Sequence, residues 1–252
     1  MKKYIIIMSL CLGGLLAMSC SDSTSDEFEE VNGKVEEKLI ETLVKTSVQN
    51  PSENKVFSFT YNSDGSLNTA NNGEDTGAVV YENDQLSAFT GGGNIFNVEE
   101  LFESPYNAFE IGQVLEYDNN GNPKTLMFLK NEYDYDTDEY WTKEYTAEIK
   151  YDDAPNPFYS TLAAAGVIDA LDKVKLNFSI TQPLDLVKAK LLFPLNNPSQ
   201  IIYKNEEGET LVTLSANYDY DEDNYPKSAV MTSIDLRFNE STTLTLLYSY
   251  VN

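Results

Sequence analysis

Val114-Leu115-Glu116-Tyr117-Asp118-Asn119-Asn120-Gly121-Asn122-Pro123-Lys124 sets the reading of the whole chain. Branched and aromatic residues favour a strand up to Tyr117. Asp118 can bond the backbone two residues on, the next two residues suit a type I turn, and Gly121 supplies the left-handed residue from which a second strand starts. The pattern returns. Phe57-Ser58-Phe59-Thr60-Tyr61 precedes Asn62-Ser63-Asp64-Gly65, and Val79-Val80-Tyr81 precedes Glu82-Asn83-Asp84. Ile149-Lys150-Tyr151 precedes Asp152-Asp153, and Ile201-Ile202-Tyr203 precedes Lys204-Asn205-Glu206-Glu207-Gly208. Irregular spacing between copies predicts a meander of hairpins, not a strict solenoid.

Period-two alternation between the turns supports this. Val174, Leu176, Phe178 and Ile180 share one face; so do Val230, Thr232, Ile234, Leu236 and Phe238, and then Leu244, Leu246, Tyr248 and Tyr250. Such alternation predicts an antiparallel sheet with these faces turned to a core. The expected fold class is mainly β: an antiparallel hairpin meander forming a curved sheet or partly open barrel, with a few short helical inserts. Three inserts are expected. Asn97-Val98-Glu99-Glu100 reads as a capping box, residues 159–171 are helical in pattern with a weak point at Gly166, and 183–192 form a further short helix. Lys34 to Lys45 fits a helix by spacing, and Leu39 to Val48 equally fits the first strand.

Composition narrows the chemistry. The 252 residues hold 17 Lys+Arg, 41 Asp+Glu and no His, a formal charge of -24. Without histidine there is no Ser-His-Asp or Cys-His catalysis and no His-bearing zinc site. The charge repels phosphate backbones, so no nucleic-acid partner is expected. Some carboxylate pair among 41 will always meet the spacing of a glycosidase, so that spacing carries no signal. Gly91-Gly92-Gly93 lacks the helix and lysine of a phosphate cradle.

The first residues read as an export leader, with Lys2 and Lys3 before a short apolar run. Ala17-Met18-Ser19-Cys20 resembles the lipobox of bacterial lipoproteins, although Ala17 stands where Leu is usual. The resemblance implies lipid attachment at Cys20; ordinary secretory cleavage would cut the same bond. Cys11 leaves with the leader, so no intrachain disulfide is expected. The division is a signal peptide over 1–19, an acidic flexible tether over 20–34, and a single all-β domain over 35–252. The Ser/Asp/Glu run after Cys20 also resembles the surface-export signal of Bacteroidetes-type lipoproteins, which implies an outer-membrane, lipid-anchored location facing the cell surface.

Tyr220-Asp221-Glu222-Asp223-Asn224-Tyr225-Pro226-Lys227, read with the lipobox, resembles a family of Bacteroidetes-type lipoproteins. That family carries an uncharacterised domain described as porin-like, a barrel-like β fold with Tyr-Asp-x-x-Gly turns. The resemblance covers most of 55–252, with Asn224 where Gly is expected, and it implies fold without catalytic residues.

Two constellations are candidates for binding. Asp134, Asp136 and Asp138, and again Asp219, Asp221 and Asp223, alternate as in a calcium loop. Glu139 and Asn224 then occupy its glycine position, and Tyr145 and Val230 its final glutamate. The other reading of both tracts is a solvated hairpin turn. Tyr140 and Trp141 are candidates to stack on a sugar ring, or ordinary cross-strand packing residues. The expected function is therefore a non-enzymatic binding or structural module, a monomer whose partners are the membrane, through its anchor, and polysaccharide or another envelope component. Calcium is the one cofactor considered. The alternatives are a carrier of an apolar ligand in a barrel interior and, third, a secreted glycan hydrolase. A filled interior with exposed aromatics favours surface recognition; a hollow apolar one favours the carrier.

Overall fold

The computed structural model of the chain describes residues 24–91, 93–98, 106–107, 112–134, 137–177 and 186–251. The expected lipid-bearing Cys20 and the capping-box helix after Val98 lie outside the described residues.

The turns form as their sequences dictate, except that Asp152-Asp153 stays inside one continuous strand, Glu139–Pro155. Asp118 N–H donates to the Asn122 carbonyl at 2.9 Å, and Gly121 N–H to the Asp118 carbonyl at 3.2 Å. The Asp118 carboxylate accepts from the backbone N–H of Asn120 and of Asn122, at 2.9 and 2.8 Å. Asn205 and Asp221 repeat the pattern in full. Asn62 repeats its backbone part. The left-handed residue is Gly121 (φ 80°) in the first of these and Asn224 (φ 66°) in the turn at Asp221. Asn tolerates that conformation, which is why the substitution leaves the turn intact.

The hairpins build one sheet. In chain order its strands are β1 (Ile40–Ser47), β2 (Lys55–Tyr61), β3 (Leu67–Asn71), β4 (Thr76–Glu82), β5 (Gln85–Gly91) and β6 (Asn94–Asn97). After a two-residue β7 (Tyr106–Asn107) come β8 (Gly112–Tyr117), β9 (Pro123–Asp134) and β10 (Glu139–Pro155). An insert holds α2 (Pro157–Ala164), α3 (Val167–Lys173), β11 (Lys175–Asn177) and β12 (Leu186–Lys188). The chain returns through β13 (Asn196–Asn205), β14 (Thr210–Tyr220), β15 (Pro226–Asp235) and β16 (Glu240–Tyr250). The 13-stranded order is β6-β5-β4-β3-β2-β1-β16-β15-β14-β13-β10-β9-β8, antiparallel throughout. The first and last strands pair at its centre, with Leu43 opposite Tyr248. The sheet does not close into a barrel: β6 and β8 are its edges.

The recurrent tyrosine acts as a latch. The Tyr61 hydroxyl donates to the Ile40 carbonyl, Tyr81 to Leu67, Tyr151 to Pro123, Tyr218 to Pro198 and Tyr250 to Pro226, at 2.6 to 3.0 Å. Each ties the end of one strand to the start of the preceding one. A half-buried ring contributes apolar area while its hydroxyl satisfies a carbonyl outside the ladder.

A second layer covers one face at the end that carries the Asn62, Asp118 and Asp221 turns, the turn-bearing end; the Asn205 turn lies at the other. A helix α1 (Thr24–Asn32), α2 and α3 bring Phe28, Tyr159 and Ile168 against Tyr225, each buried, with Tyr250 packed beside them. Phe158 of α2 meets the Tyr248 ring edge-on at 6.1 Å. This is the inner face. The tether expected over 20–34 is helical from Thr24 to Asn32: one apolar residue, Phe28 at 1% exposure, docks the helix, Glu27 pairs with Lys190 at 2.6 Å, and Glu29 and Glu30 face solvent.

Three further expectations are refined. The helical stretch splits at Gly166 (φ 72°), where an added Cβ would lie 3.1 Å from the Leu86 Cβ. The described part of 183–192 is the strand β12 followed by a 3-10 turn over Ala189–Leu192. Of the run begun by Val174, Leu176 lies in a separate three-stranded sheet, β12-β11-β7, in which β11 runs parallel to β7, and Phe178 and Ile180 lie outside the described residues. The fourth difference is larger. Val230, Ile234, Leu236 and Phe238 were expected on a core face, and they stand 40 to 68% exposed. Ala229, at 0%, faces the core instead. Alternation fixes which residues share a face, and here the smaller ones face the packed side.

Candidate functional site

The β9–β10 hairpin outruns its neighbours. Its pairing extends to Glu139 opposite Asp134, while β13 ends against it at Tyr145 and β8 at Phe128. Residues 129–134 and 139–144 therefore stand as a two-stranded arm among the described residues. Tyr140 is 74% and Trp141 51% exposed on it. As consecutive strand residues they point to opposite sides, so they do not form one stacking platform. Tyr140 meets Tyr133 instead, rings 5.0 Å apart and edge-on, and the Trp141 indole N–H donates to the Thr137 hydroxyl at 3.3 Å.

The acidic tracts resolve differently. The side chains of Asp134 and Asp136 lie outside the described residues, and Asp138 accepts from the Tyr133 hydroxyl. At the second tract a lysine ammonium sits where a cation was expected. Lys38 Nζ lies 2.7 Å from Asp221 and 2.6 Å from Asp223, over the rings of Tyr225 and Tyr250. Asp219 points elsewhere and pairs with Lys227 at 3.3 Å. Burial disfavours the Lys38 charge, but the hydrogen bonds to both carboxylates outweigh it and hold its pKa above the ordinary value. Burial likewise opposes the Asp221 charge, and Lys38 with two backbone N–H groups overcomes it, lowering that pKa. The tract binds the chain's own Lys38, and no group of three metal-ligating side chains occurs among the described residues.

Sequence reasoning missed a buried asparagine cluster at the same end. Asn122, Asn196 and Asn197 are at most 3% exposed. Asn122 donates to Asp118 and Asn196 at 3.0 and 2.9 Å and accepts from the Leu195 N–H at 2.7 Å. Asn196 donates to Asn32 of α1 at 3.1 Å, and Asn197 to the Pro155 carbonyl at 3.0 Å. The cluster joins the turn at Asp118 to the end of α1 and to the returning chain. Its donors and acceptors satisfy one another, which makes it a rigid joint.

Sequence reasoning also missed an apolar recess. On the inner face, where the helices do not reach, a groove of about 270 Å³ is lined chiefly by Leu126, Phe128, Ala147, Ile149, Ile201 and Tyr203. Register explains the lining: Leu126 faces Ala147, Ile149 faces Ile201, and Tyr203 faces Ala147 on one side and Val212 on the other. Phe128 stacks on Tyr145 at 5.7 Å and meets Tyr203 edge-on at 6.3 Å. Burial raises the Tyr203 pKa, so its hydroxyl stays neutral at physiological pH. The inner face continues apolar through Leu214, Met231, Leu244 and Leu246, all half-buried. Two larger clefts, of about 430 and 410 Å³, lie at the turn-bearing end and mix apolar with charged walls, among them Asp64, Asp169 and Lys173 in one and Glu27 and Lys190 in the other.

No protein-family model and no curated protein sequence matches this chain. Among solved structures it is similar to a porin-like protein from Bacteroides vulgatus, at 15% identity and TM-score 0.39, over 85% of this chain and 99% of that one. A porin-like protein from Bacteroides uniformis gives 12% identity and TM-score 0.38, over 84% and 98%. A putative outer membrane lipoprotein-sorting protein domain from Vibrio parahaemolyticus gives 12% and 0.28, over 90% and 88%.

Proposed function

We propose that this chain is a non-enzymatic binding module, lipid-anchored through Cys20 at the cell-surface side of the outer membrane, that holds an apolar chain against the inner face of its sheet. The observation that carries the reading is the groove at Leu126, Phe128, Ile149, Ile201 and Tyr203. It is apolar on a molecule of charge -24, and the helices leave it open. A contiguous apolar surface left accessible in an acidic protein marks a ligand or partner site. The ligand class is an acyl chain or similar aliphatic, since the walls offer dispersion contacts, with the Tyr203 hydroxyl and the Gln113 amide as their polar groups. The interior is neither hollow nor filled, so the carrier works as an open trough and not as a barrel lumen.

The test is titration of the full chain with a dansyl-labelled fatty acid. Saturable enhancement and a blue shift are expected, with Ile201→Glu weakening binding roughly tenfold or more, about 1.4 kcal/mol. Absence of saturation, or equal binding by the variant, overturns the reading. A second reading, recognition of polysaccharide or another envelope component, rests on the exposed rings of Tyr140 and Trp141; saturation by a neutral glycan, lost in Trp141→Ala or Tyr140→Ala, would favour it.

A further inference from the structure

The misassigned face of β15 belongs to a larger surface. Opposite the helices, the ladder positions of β15 carry Val230, Thr232 and Ile234, and those of β16 carry Thr243, Thr245 and Leu247. On β14 they are Thr213, Ser215 and Asn217, on β1 Thr42, Val44 and Thr46, and on β2 Val56 and Ser58. The same side continues through Thr69 and Asn71, Ala78 and Val80, and Thr90, to Ile95 on the edge strand. Across these nine strands no interior ladder position is charged, in a chain that is 23% charged. Carboxylates return only at the turn-bearing margin, at Glu41, Glu82 and Asp219. The neighbouring strands differ: Glu148 and Lys204, on the same side of β10 and β13, form an ion pair.

We infer that this uncharged face is where two copies of the chain pack, sheet on sheet. Two molecules of charge -24 repel wherever carboxylates oppose each other, and this face lets them approach without opposing any in its interior. Its centre is apolar: Val44 lies opposite Leu247 on one side and Val56 on the other, and Leu247 and Val56 are each 49% exposed. Threonine and valine pack well between facing sheets, and sheets of like twist stack with their strands about 30° apart. At about 4.8 Å per strand and 3.4 Å per residue, the face offers on the order of 800 Å², what a standard interface buries on each partner. The occupant is a second copy because it brings the same uncharged, self-complementary face, free of the lysine and glutamate that ordinarily block such stacking. The inner-face groove stays open in this dimer, so the two proposals stand or fall separately.

Solution mass decides it. The full chain in mild detergent, at roughly 100 μM, where a contact of this area is saturated, is expected to show the protein mass of two copies. Val56→Glu with Leu247→Glu should halve that mass while leaving the circular dichroism unchanged, because both sites are half-exposed. Thr243→Lys, at an adjacent threonine, reads the same contact if the double variant does not fold. A single-copy mass for the unaltered chain overturns the inference, as does a two-copy mass that persists in the folded variants.

Discussion

At the turn-bearing end of the sheet, five tyrosine hydroxyls close onto neighbouring strands, a buried asparagine cluster joins segments remote in sequence, and Phe28 docks a helix over the seam. At the opposite end the hairpins are just as regular and almost nothing among the described residues covers them. Val48 is 90% exposed, Phe238 68% and Tyr140 74%. The same strands run through both ends, so the ladder alone does not distinguish them. What differs is the side-chain layer added on top. The covered end holds the fold together, and the uncovered end and outer face leave strand surface bare, which concentrates the packing at one end of a shared set of strands.

The largest test of that contrast is a pair of phenylalanines. Phe28→Ala removes a fully buried ring stacked on Tyr159 at 6.0 Å and should destabilise by about 3 to 5 kcal/mol. Phe238→Ala removes a ring of the same size from the open end, where the Arg237 guanidinium lies 5.3 Å over it. Its expected effect is within about 0.5 kcal/mol. Denaturant unfolding of both variants checks this, and a cost above about 2 kcal/mol for Phe238→Ala would remove the distinction.

Next in size is the asparagine joint. Asn122→Ala leaves the Leu195 N–H without its 2.7 Å acceptor and strips a partner from Asn196 and Asp118. An expected loss of about 2 to 3 kcal/mol follows from buried groups left unpaired. Asn62→Ala, in an exposed turn whose side chain reaches only Ser66, should cost about 1 kcal/mol or less. Equal losses would mean that the joint acts as an ordinary turn.

These regions also differ in how far they could be read from the chain. The turns were legible because their chemistry is local: Asp118, Gly121 and Asn224 act within a few residues. The mainly β class followed from the same signals. The face of β15 was misread because period two says which residues are coplanar and not which side is packed. Ala229 is buried at 0% by its neighbours, and the bulkier Val230 is left out. The asparagine cluster was invisible because Asn32, Asn122 and Asn196 meet only in three dimensions. Phe28 was hidden by its company: four acidic neighbours suggest solvent, yet one turn of helix needs one anchor. Tyr140 and Trp141 are exposed rings, but adjacency in sequence places them back to back on a strand.

The smallest expected effect concerns two ion pairs, one at each end, and it reads the comparison through pH. Asp221 is held below its ordinary value of 3.8 by Lys38 and two backbone N–H groups, against the opposing effect of burial. A carboxylate with a depressed folded pKa adds stability above its unfolded value and loses it as pH falls through the folded one. Lys38, raised above 10.5, adds stability below that value and loses it as pH climbs through its folded pKa. The pair therefore supports the fold between these limits, and Lys38→Met should lower stability by about 1 kcal/mol at neutral pH. The variant should also flatten the acid limb, because part of the Asp221 depression is gone before acid is added. Asp235 is lowered too, first by the Arg237 hydrogen bond, but its partner is two residues away in one turn at the open end, a contact that the unfolded chain also samples. Arg237→Met should leave both the melting temperature and the acid limb where they were. Thermal melts of the two variants from neutral pH to pH 3 separate these outcomes. If Arg237→Met moved the acid limb as far as Lys38→Met, covering layer and bare ladder would contribute alike, and the division between the two ends would fail.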